Sequence, residues 1–260
     1  MKNAVLLING LGLGNSTRCK VLIDWLISNN YKITILTSGN GKDFFNYNKY
    51  TITALDQIDY DKRGDKLSVL KLILNLINII KIVKRNSKKI NDIISEVSAD
   101  LIISDSIYFF PGKDFKKRYS VALNNSNLVI KYFFKFKNKP LSIYPQFLFI
   151  ELFDYLISKL VYKKIWSPVI SINDLKNNYD DRSNIYTLPP ISRFKNHFNE
   201  KDPQYINNIC IMLSGSSFKT KVNFTKDNLK KFNFYLINYN FKLGYETYDN
   251  HKYYYKEYDN

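Results

Sequence analysis

The start of the chain restricts the fold most strongly. The segment 3–9, whose centre is the unbroken apolar run from Ala4 to Ile8, leads through glycines at three alternate positions within 10–14 into a helical pattern over 16–29. Such a run predicts a strand buried on both faces, as in a parallel sheet. A β-branched run over 31–39 follows and predicts a second strand. Strand, helix and strand in this order predict a βαβ unit, and therefore an α/β fold with a Rossmann-like parallel sheet.

Further strands and one long helix are predicted downstream. Residues 67–97 carry polar side chains every three or four positions, which predicts a helix with one narrow polar stripe. The four polar interruptions of its apolar stretch argue against a transmembrane span. Residues 99–106 and 119–125 predict two more strands, the first of which ends in Asp105. Since ligands bind at the carboxyl ends of strands in open α/β sheets, Asp105 is a candidate site residue.

The second half of the chain predicts the end of one domain and the beginning of another. The segment 144–166 is rich in aromatic residues, is helical in its later part and ends with two lysines, which would suit contact with a membrane interface. Short strands are predicted around 167–173 and 184–190, and a new strand with a small-residue turn over 208–217. We therefore predict a Rossmann-like domain over 1–192, a linker over 193–207, and the incomplete start of a second α/β domain over 208–260.

Composition limits the expected partners and location. The formal net charge is +16, but 33 of the 39 basic residues are Lys, which together with abundant Asn, Ile and Tyr is typical of an AT-rich coding bias. No zinc-ligand spacing or RNA-binding aromatic signature accompanies this charge, so nucleic acid is not an expected partner. Cys19 and Cys210 form no CxxC pair, which favours a reducing compartment. The first apolar run is too short for a signal peptide, so a cytoplasmic location is expected.

The glycine turn has the chemistry of a phosphate or sugar-hydroxyl site. Gly12 and Gly14 let the backbone approach a ligand closely, and the following helix offers unpaired N–H groups to an anion. A P-loop is excluded because Gly14 is followed by Asn15 and Ser16 rather than Lys and Ser or Thr. The dinucleotide fingerprint also fails, because Asn15 or Thr17 stands where its third glycine is needed.

Several stretches resemble a known family. GLGLGNSTRCKVLIDWL (10–26), NNYKITILTSG (29–39), ADLIISDS (99–106) and YTLPPI (186–191) are similar to the N-terminal, acceptor-binding domain of GT-B type glycosyltransferases. The resemblance is to the branch that contains the lipid-linked N-acetylglucosaminyltransferase of peptidoglycan synthesis and the nucleotide-sugar hydrolase of pseudaminic acid synthesis. IMLSGSS (211–217) looks like the start of the donor-binding domain.

The resemblance implies roles for particular residues. Asn15 stands where the family usually has a histidine base; Asn can orient an acceptor but cannot accept its proton, so Asp105 is the candidate for that role. Gly12, Gly14, Ser16 and Arg18 would form an acceptor or phosphate cradle, with a purely structural turn as the alternative. Gly215, Ser216 and Ser217 would bind the donor phosphate. The remainder of the donor-binding half is absent or replaced by the Tyr-rich end.

Two functions follow from the resemblance. The first is sugar transfer from a nucleotide-sugar co-substrate to a cell-envelope or polysaccharide acceptor, with no metal or other cofactor required. A lipid-linked acceptor would place the protein peripherally on the inner face of the membrane. The second is a non-catalytic acceptor-binding or truncated subunit that needs a separate donor-domain partner. A nucleotide-sugar hydrolase is a third possibility, and it is disfavoured by Asn15 because water needs a base.

Overall fold

The computed structural model describes residues 1–47, 50–58, 75–135, 141, 144, 147–168, 184–189 and 191, and the backbone of four later strands between 208 and 255. The chain divides into two compact units, and the main boundary between them lies between Arg193 and Phe194. The predicted residues Gly215, Ser216 and Ser217 lie outside the described part of the chain.

The first unit alternates strands and helices. Its described elements are β1 (Lys2–Ile8), α1 (Leu13–Ser28), β2 (Tyr31–Thr37), α2 (Asn40–Tyr47), β3 (Ile52–Ala54), α3 (Leu76–Glu96), β4 (Leu101–Asp105), α4 (Lys113–Lys117), β5 (Tyr119–Leu123), α5 (Ser126–Lys135), a π-helical turn (Phe147–Glu151), α6 (Leu152–Val161), β6 (Lys164–Pro168) and β7 (Ile185–Leu188). The seven strands form one parallel sheet in the order β3-β2-β1-β4-β5-β6-β7. The predicted Rossmann-like α/β fold is confirmed.

The strand order reverses beside β1. The chain first builds outward from β1 to β2 and β3, and then returns to add β4 on the other side of β1. In parallel α/β sheets, ligands bind at such a switch point, outside the carboxyl ends of the strands. The register places the last residue of β1, Ile8, beside Thr37 of β2 and Asp105 of β4, so these three strand ends meet at one edge.

Helices cover both faces of the sheet, which explains why β1 is apolar throughout. Alternate residues of β1 pack on opposite sides, Leu6 against Cys19 and Ile23 of α1, and Leu7 against Ile90 of α3. Residues Ala4 to Ile8 are all fully buried. This two-sided burial makes β1 the centre of the core and holds the glycine turn at its carboxyl end rigidly in place.

Three element boundaries differ from those predicted. Helix α1 begins at Leu13 rather than at residue 16, because Gly12 is extended and lets the helix start within the glycine turn. Helix α6 ends at Val161, where Tyr162 becomes extended and buries its ring. Strand β6 therefore begins at Lys164, ahead of the predicted 167–173. None of the described helices combines the length and apolar character that a membrane crossing requires.

The second unit contains a smaller mixed sheet. Its strands are β8 (Asn208–Met212), β9 (Asn233–Ile237), β10 (Gly244–Tyr248) and β11 (His251–Tyr255), in the order β10-β11-β9-β8. Strands β8 and β9 pair in parallel. The Tyr-rich end of the chain forms an antiparallel pair, β10 with β11.

Candidate functional site

The glycine turn between β1 and α1 has one packed position and two open ones. A Cβ atom on Gly10 would lie 1.6 Å from the Ser38 carbonyl oxygen, so the close approach of the two loops requires glycine there. A Cβ atom on Gly12 or Gly14 would meet nothing within 4 Å. Gly12 precedes α1 without a side-chain cap, and the first turn of α1 carries no acidic residue. The positive end of α1 therefore faces open space beside the strand edge.

Arg18 joins the turn to the end of β4. Its Nε donates to Asp105 Oδ2 at 2.6 Å, and its Nη2 donates to Asp105 Oδ1, which gives a bidentate ion pair. The same Nη2 also donates to Asn15 Oδ1 at 3.1 Å. Asn15 and Arg18 lie one helical turn apart on α1, so both side chains project from the same face. The three residues form one network, which we call the Arg18 network.

Burial makes this ion pair different from a surface salt bridge. The Asp105 side chain is fully buried, while the Arg18 side chain is 32% exposed. Burial opposes the charge on Arg18, but the hydrogen bonds to Asp105 and the charge of that carboxylate outweigh it and raise the pKa of Arg18. Burial, together with the neighbouring Asp105 charge, also raises the pKa of the Cys19 thiol, so Cys19 stays neutral beside the pair. The guanidinium is thus held as a cation whose charge is already balanced.

A strained residue closes the strand edge next to this network. Ser106 has a φ of 58°, in the left-handed region that non-glycine residues rarely occupy. Its hydroxyl lies 3.3 Å from Asp105 Oδ1, and its carbonyl accepts a hydrogen bond from Asn9 Nδ2 at 3.1 Å. The Asn9 backbone N–H donates to the Asp105 carbonyl at 3.0 Å, so Asn9 and Ser106 fasten β1 to β4 at the switch point. Sequence reasoning missed both residues, although each is the last residue of a segment predicted as a strand.

Ser16 takes a different position from the other predicted residues of the turn. It is fully buried, and its hydroxyl has no hydrogen-bond partner within the described part of the chain. A Cβ atom on Gly41 would lie 3.2 Å from Ser16 Oγ, so this hydroxyl faces α2 rather than open space. The structure therefore brings Asn15, Arg18 and Asp105 together below the open glycines and directs Ser16 into the interior.

The chemistry of the Arg18 network follows from its donors and acceptors. Because a guanidinium can only donate, the amide oxygen of Asn15 must face Arg18 and its NH₂ group must point away. No described residue accepts a hydrogen bond from this NH₂ group. Both carboxylate oxygens of Asp105 already accept bonds from Arg18. The site thus offers donors for an oxygen atom, and its one carboxylate is committed to an ion pair.

Comparisons with known proteins agree with this description of the fold. The α/β fold with its seven-stranded parallel sheet matches GT-B glycosyltransferase structures. Residues 3–120, from β1 into β5, match the family model described as Glycosyl transferase family 1. This segment contains the whole Arg18 network. No curated protein sequence is significantly similar to the chain.

Three plant proteins are among the solved structures that match the chain, and each shares little sequence with it. UGT2 of Phytolacca americana, complexed with UDP-2fluoro-glucose and pterostilbene, is 10% identical with a TM-score of 0.51, over 91% of this chain and 66% of that protein. UGT89C1 of Arabidopsis thaliana, complexed with quercetin, is also 10% identical with a TM-score of 0.51, over 98% of this chain and 69% of that protein. UGT73P12 of Glycyrrhiza uralensis is 12% identical with a TM-score of 0.43, over 74% of this chain and 49% of that protein. The chain thus spans from about half to about two thirds of the lengths of these proteins.

Proposed function

We propose that this chain is a glycosyltransferase of GT-B type, in which residues 1–192 bind the acceptor and residues 208–260 begin a donor-binding domain. The observation that carries the proposal is the Arg18 network, which sits below an open glycine turn at the switch point of the sheet. The match of residues 3–120 to Glycosyl transferase family 1 supports the same reaction class. The closer relationship to the lipid-linked N-acetylglucosaminyltransferase or to the pseudaminic-pathway hydrolase stays a prediction.

The proposed reaction joins an acceptor hydroxyl to the anomeric carbon of a nucleotide sugar. The acceptor oxygen forms the new bond to that carbon, and the nucleoside diphosphate leaves with the electron pair of the bond that breaks. The hydroxyl proton passes to solvent or to the departing phosphate, because Asn15 cannot accept it. Gly215, Ser216 and Ser217 are the proposed contacts to the donor phosphate, and a separate donor-domain subunit is the alternative source of that half.

Each residue of the Arg18 network has a proposed role. Asn15 donates its free NH₂ group to the acceptor oxygen and so orients the acceptor. Arg18 positions Asn15 and directs its remaining N–H groups toward a phosphate or hydroxyl above Gly12 and Gly14. Asp105 holds Arg18 in place through the bidentate ion pair. To accept a proton from an acceptor, Asp105 would first have to release the guanidinium of Arg18. We therefore propose Asp105 as a positioning residue rather than as the base considered from the sequence.

An exposed apolar surface supports a lipid-linked acceptor and a peripheral membrane location. It consists of exposed side chains on α5, the π-helical turn and α6, namely Phe134, Leu148, Phe153, Leu156 and Leu160. Lys159 lies 5.3 Å from the Tyr155 ring on the same helix, so positive charge accompanies the apolar side chains. Exposed apolar side chains beside lysines favour an anionic membrane surface. Co-sedimentation with anionic but not neutral vesicles tests this, and equal recovery with both would contradict it.

A non-catalytic acceptor-binding subunit is the second candidate function. The observation that favours it is the absence of a free base in the Arg18 network, where Asn15 cannot take a proton and Asp105 is paired. Such a subunit would hold a carbohydrate or glycolipid for a partner chain that binds the nucleotide sugar. The two functions differ in one measurable property, because only a self-sufficient enzyme binds the donor alone.

Restoring a base at position 15 separates the two functions. UDP-glucose and UDP-N-acetylglucosamine are titrated calorimetrically into the full chain, and UDP release is followed for the natural sequence and for Asn15→His. A transferase should bind at least one donor, and Asn15→His should raise UDP release toward the roughly 10²-fold lower bound for general-base catalysis. Asn78→His, on an exposed position of α3, is the matched control and should change nothing. Binding of neither donor, with no gain in Asn15→His, would support the non-catalytic subunit instead.

A further inference from the structure

A second polar cluster lies on the opposite face of the same strand edge. Asp154 of α6 accepts hydrogen bonds from Tyr108 Oη at 2.9 Å and from Asn124 Nδ2 at 2.5 Å. Asn124 follows β5 and also contacts Ser158 Oγ at 2.9 Å. Adjacent residues of β4 point to opposite faces, so Ser104 faces this cluster while Asp105 faces α1. Sequence reasoning assigned none of these residues to a site.

The cluster borders a small cavity that opens beside the candidate site. The cavity measures about 20 Å³ and is lined by Ser104, Ser106, Tyr108, Asn124 and Asp154, among others. A space of this size holds one water-sized group, for which roughly 10–15 Å³ is the minimum. Ser106 lines the cavity and also contacts Asp105, so the same strained residue borders both clusters. A group bound here would lie next to the acceptor position proposed above.

The negative charge beside the cavity has no counterion among the described residues. Within the described residues, neither Asp154 nor Glu151, one helical turn away, forms an ion pair, and neither has a further contact to the rest of the chain. Burial raises the pKa of Asp154, and burial with the nearby Asp154 charge raises the pKa of Glu151. Burying a carboxylate without a nearby cation costs free energy. The chain has a net charge of +16, so basic side chains are abundant, and yet none of the described ones pairs with Asp154.

We propose that this cavity binds the protonated amine of an acceptor, with Asp154 as its counterion. This inference rests on the proposed function, in which the acceptor is a carbohydrate. The expected substrate class is therefore an amino sugar. A primary ammonium is water-sized and has three donors, which match the acceptor atoms of Asp154 and the hydroxyl oxygens of Ser104 and Ser106. A metal ion fits less well, because the described residues contain no group of three acidic, His or Cys side chains that could hold one.

Three related sugars test the charge requirement directly. Glucosamine, N-acetylglucosamine and glucose are titrated into the full chain without nucleotide sugar, and the Asn124 side-chain amide is followed by NMR. Glucosamine should shift this signal saturably, while the two uncharged sugars should bind at least roughly ten-fold more weakly. Equal binding of all three sugars, or no shift with glucosamine, would overturn the proposal. If the chain binds glucosamine but no nucleotide sugar, the proposed amine site would be supported and the proposed transferase function would be contradicted.

A charge-neutral variant connects the binding to Asp154. Asp154→Asn keeps the shape of the side chain and a hydrogen bond with Asn124, and it should weaken glucosamine binding roughly ten- to hundred-fold. Asp24→Asn removes an exposed carboxylate of α1 that pairs with Lys20, and its glucosamine affinity should match the natural sequence. Thermal unfolding of Asp154→Asn shows whether it is folded, and Tyr108→Phe serves as a second variant if it is not. Unchanged affinity in a folded Asp154→Asn would show that the ammonium binds elsewhere.

Discussion

Two carboxylates, which lie on opposite faces of the sheet at the same strand edge, differ in whether the protein balances their charge. Asp105 is fully buried and forms a bidentate pair with Arg18, so its charge is balanced within the protein. Among the residues that the structure describes, Asp154 is held by the neutral donors Tyr108 and Asn124, and none of them balances its charge. A buried charge that is balanced within the protein stabilises the fold and orients its neighbours, whereas an unbalanced buried carboxylate can bind a cationic ligand. The comparison separates a positioning residue from a binding residue by electrostatics alone.

The largest effect is expected from removing the charge of Asp105. Asp105→Asn leaves the guanidinium of Arg18 without its counterion in a largely buried position, and breaking such a pair costs about 3 kcal/mol of unfolding free energy. Denaturant unfolding measures this loss. Asp114→Asn, which removes an exposed carboxylate near Lys117, should leave the midpoint unchanged. A loss no larger than that of the control would mean that the Arg18 pair contributes little to the architecture.

A smaller loss is expected when the charge is kept and the geometry is changed. Arg18→Lys keeps a cation beside Asp105 but cannot form the bidentate pair and the bond to Asn15 together, so we expect a loss of about 1–2 kcal/mol. Differential scanning calorimetry compares it with Arg18→Met, which also removes the charge. Arg18→Met should be less stable than Arg18→Lys, and equal stability would show that charge balance is unimportant here.

The smallest effect, with the opposite sign, is expected at Asp154. Burial raises the pKa of Asp154, so the folded state holds this proton more tightly than the unfolded state does. Its contribution to stability is therefore greatest at acidic pH and is lost as pH rises through the raised pKa. Without ligand, Asp154→Asn should be about 0.5 kcal/mol more stable than the natural sequence at neutral pH.

The pH dependence provides the internal check on this last prediction. Unfolding curves of the two proteins should converge as the pH falls, because Asp154 is then protonated and resembles Asn in charge. A difference that widens toward acidic pH would contradict the assignment of Asp154 as an unbalanced carboxylate. Added glucosamine should reverse the order at neutral pH, since it should bind the folded natural sequence more tightly than folded Asp154→Asn.

The local features of the candidate site could be predicted from the sequence. The strand before Gly10, the open turn through Gly12 and Gly14, and the strand that ends in Asp105 all follow from patterns within short windows. Asn15 and Arg18 lie three positions apart, and their contact follows from helical geometry once α1 begins at Leu13 rather than at the predicted residue 16. What these windows do not contain is the partner of each charge, so the prediction that Arg18 belongs to an acceptor or phosphate cradle did not include its pairing with Asp105.

The sequence by itself determined the βαβ beginning, the parallel sheet and the glycine turn, because periodicity and glycine placement act over neighbouring residues. Only the tertiary structure decided that Arg18 meets Asp105, 87 positions later, and that Asp154 meets Tyr108 and Asn124 but no cation in the described part of the chain. Those pairings depend on strand order and on which face each strand-end residue takes. A shift of one residue in register would exchange Ser104 and Asp105 between the two faces, and so exchange the two kinds of site.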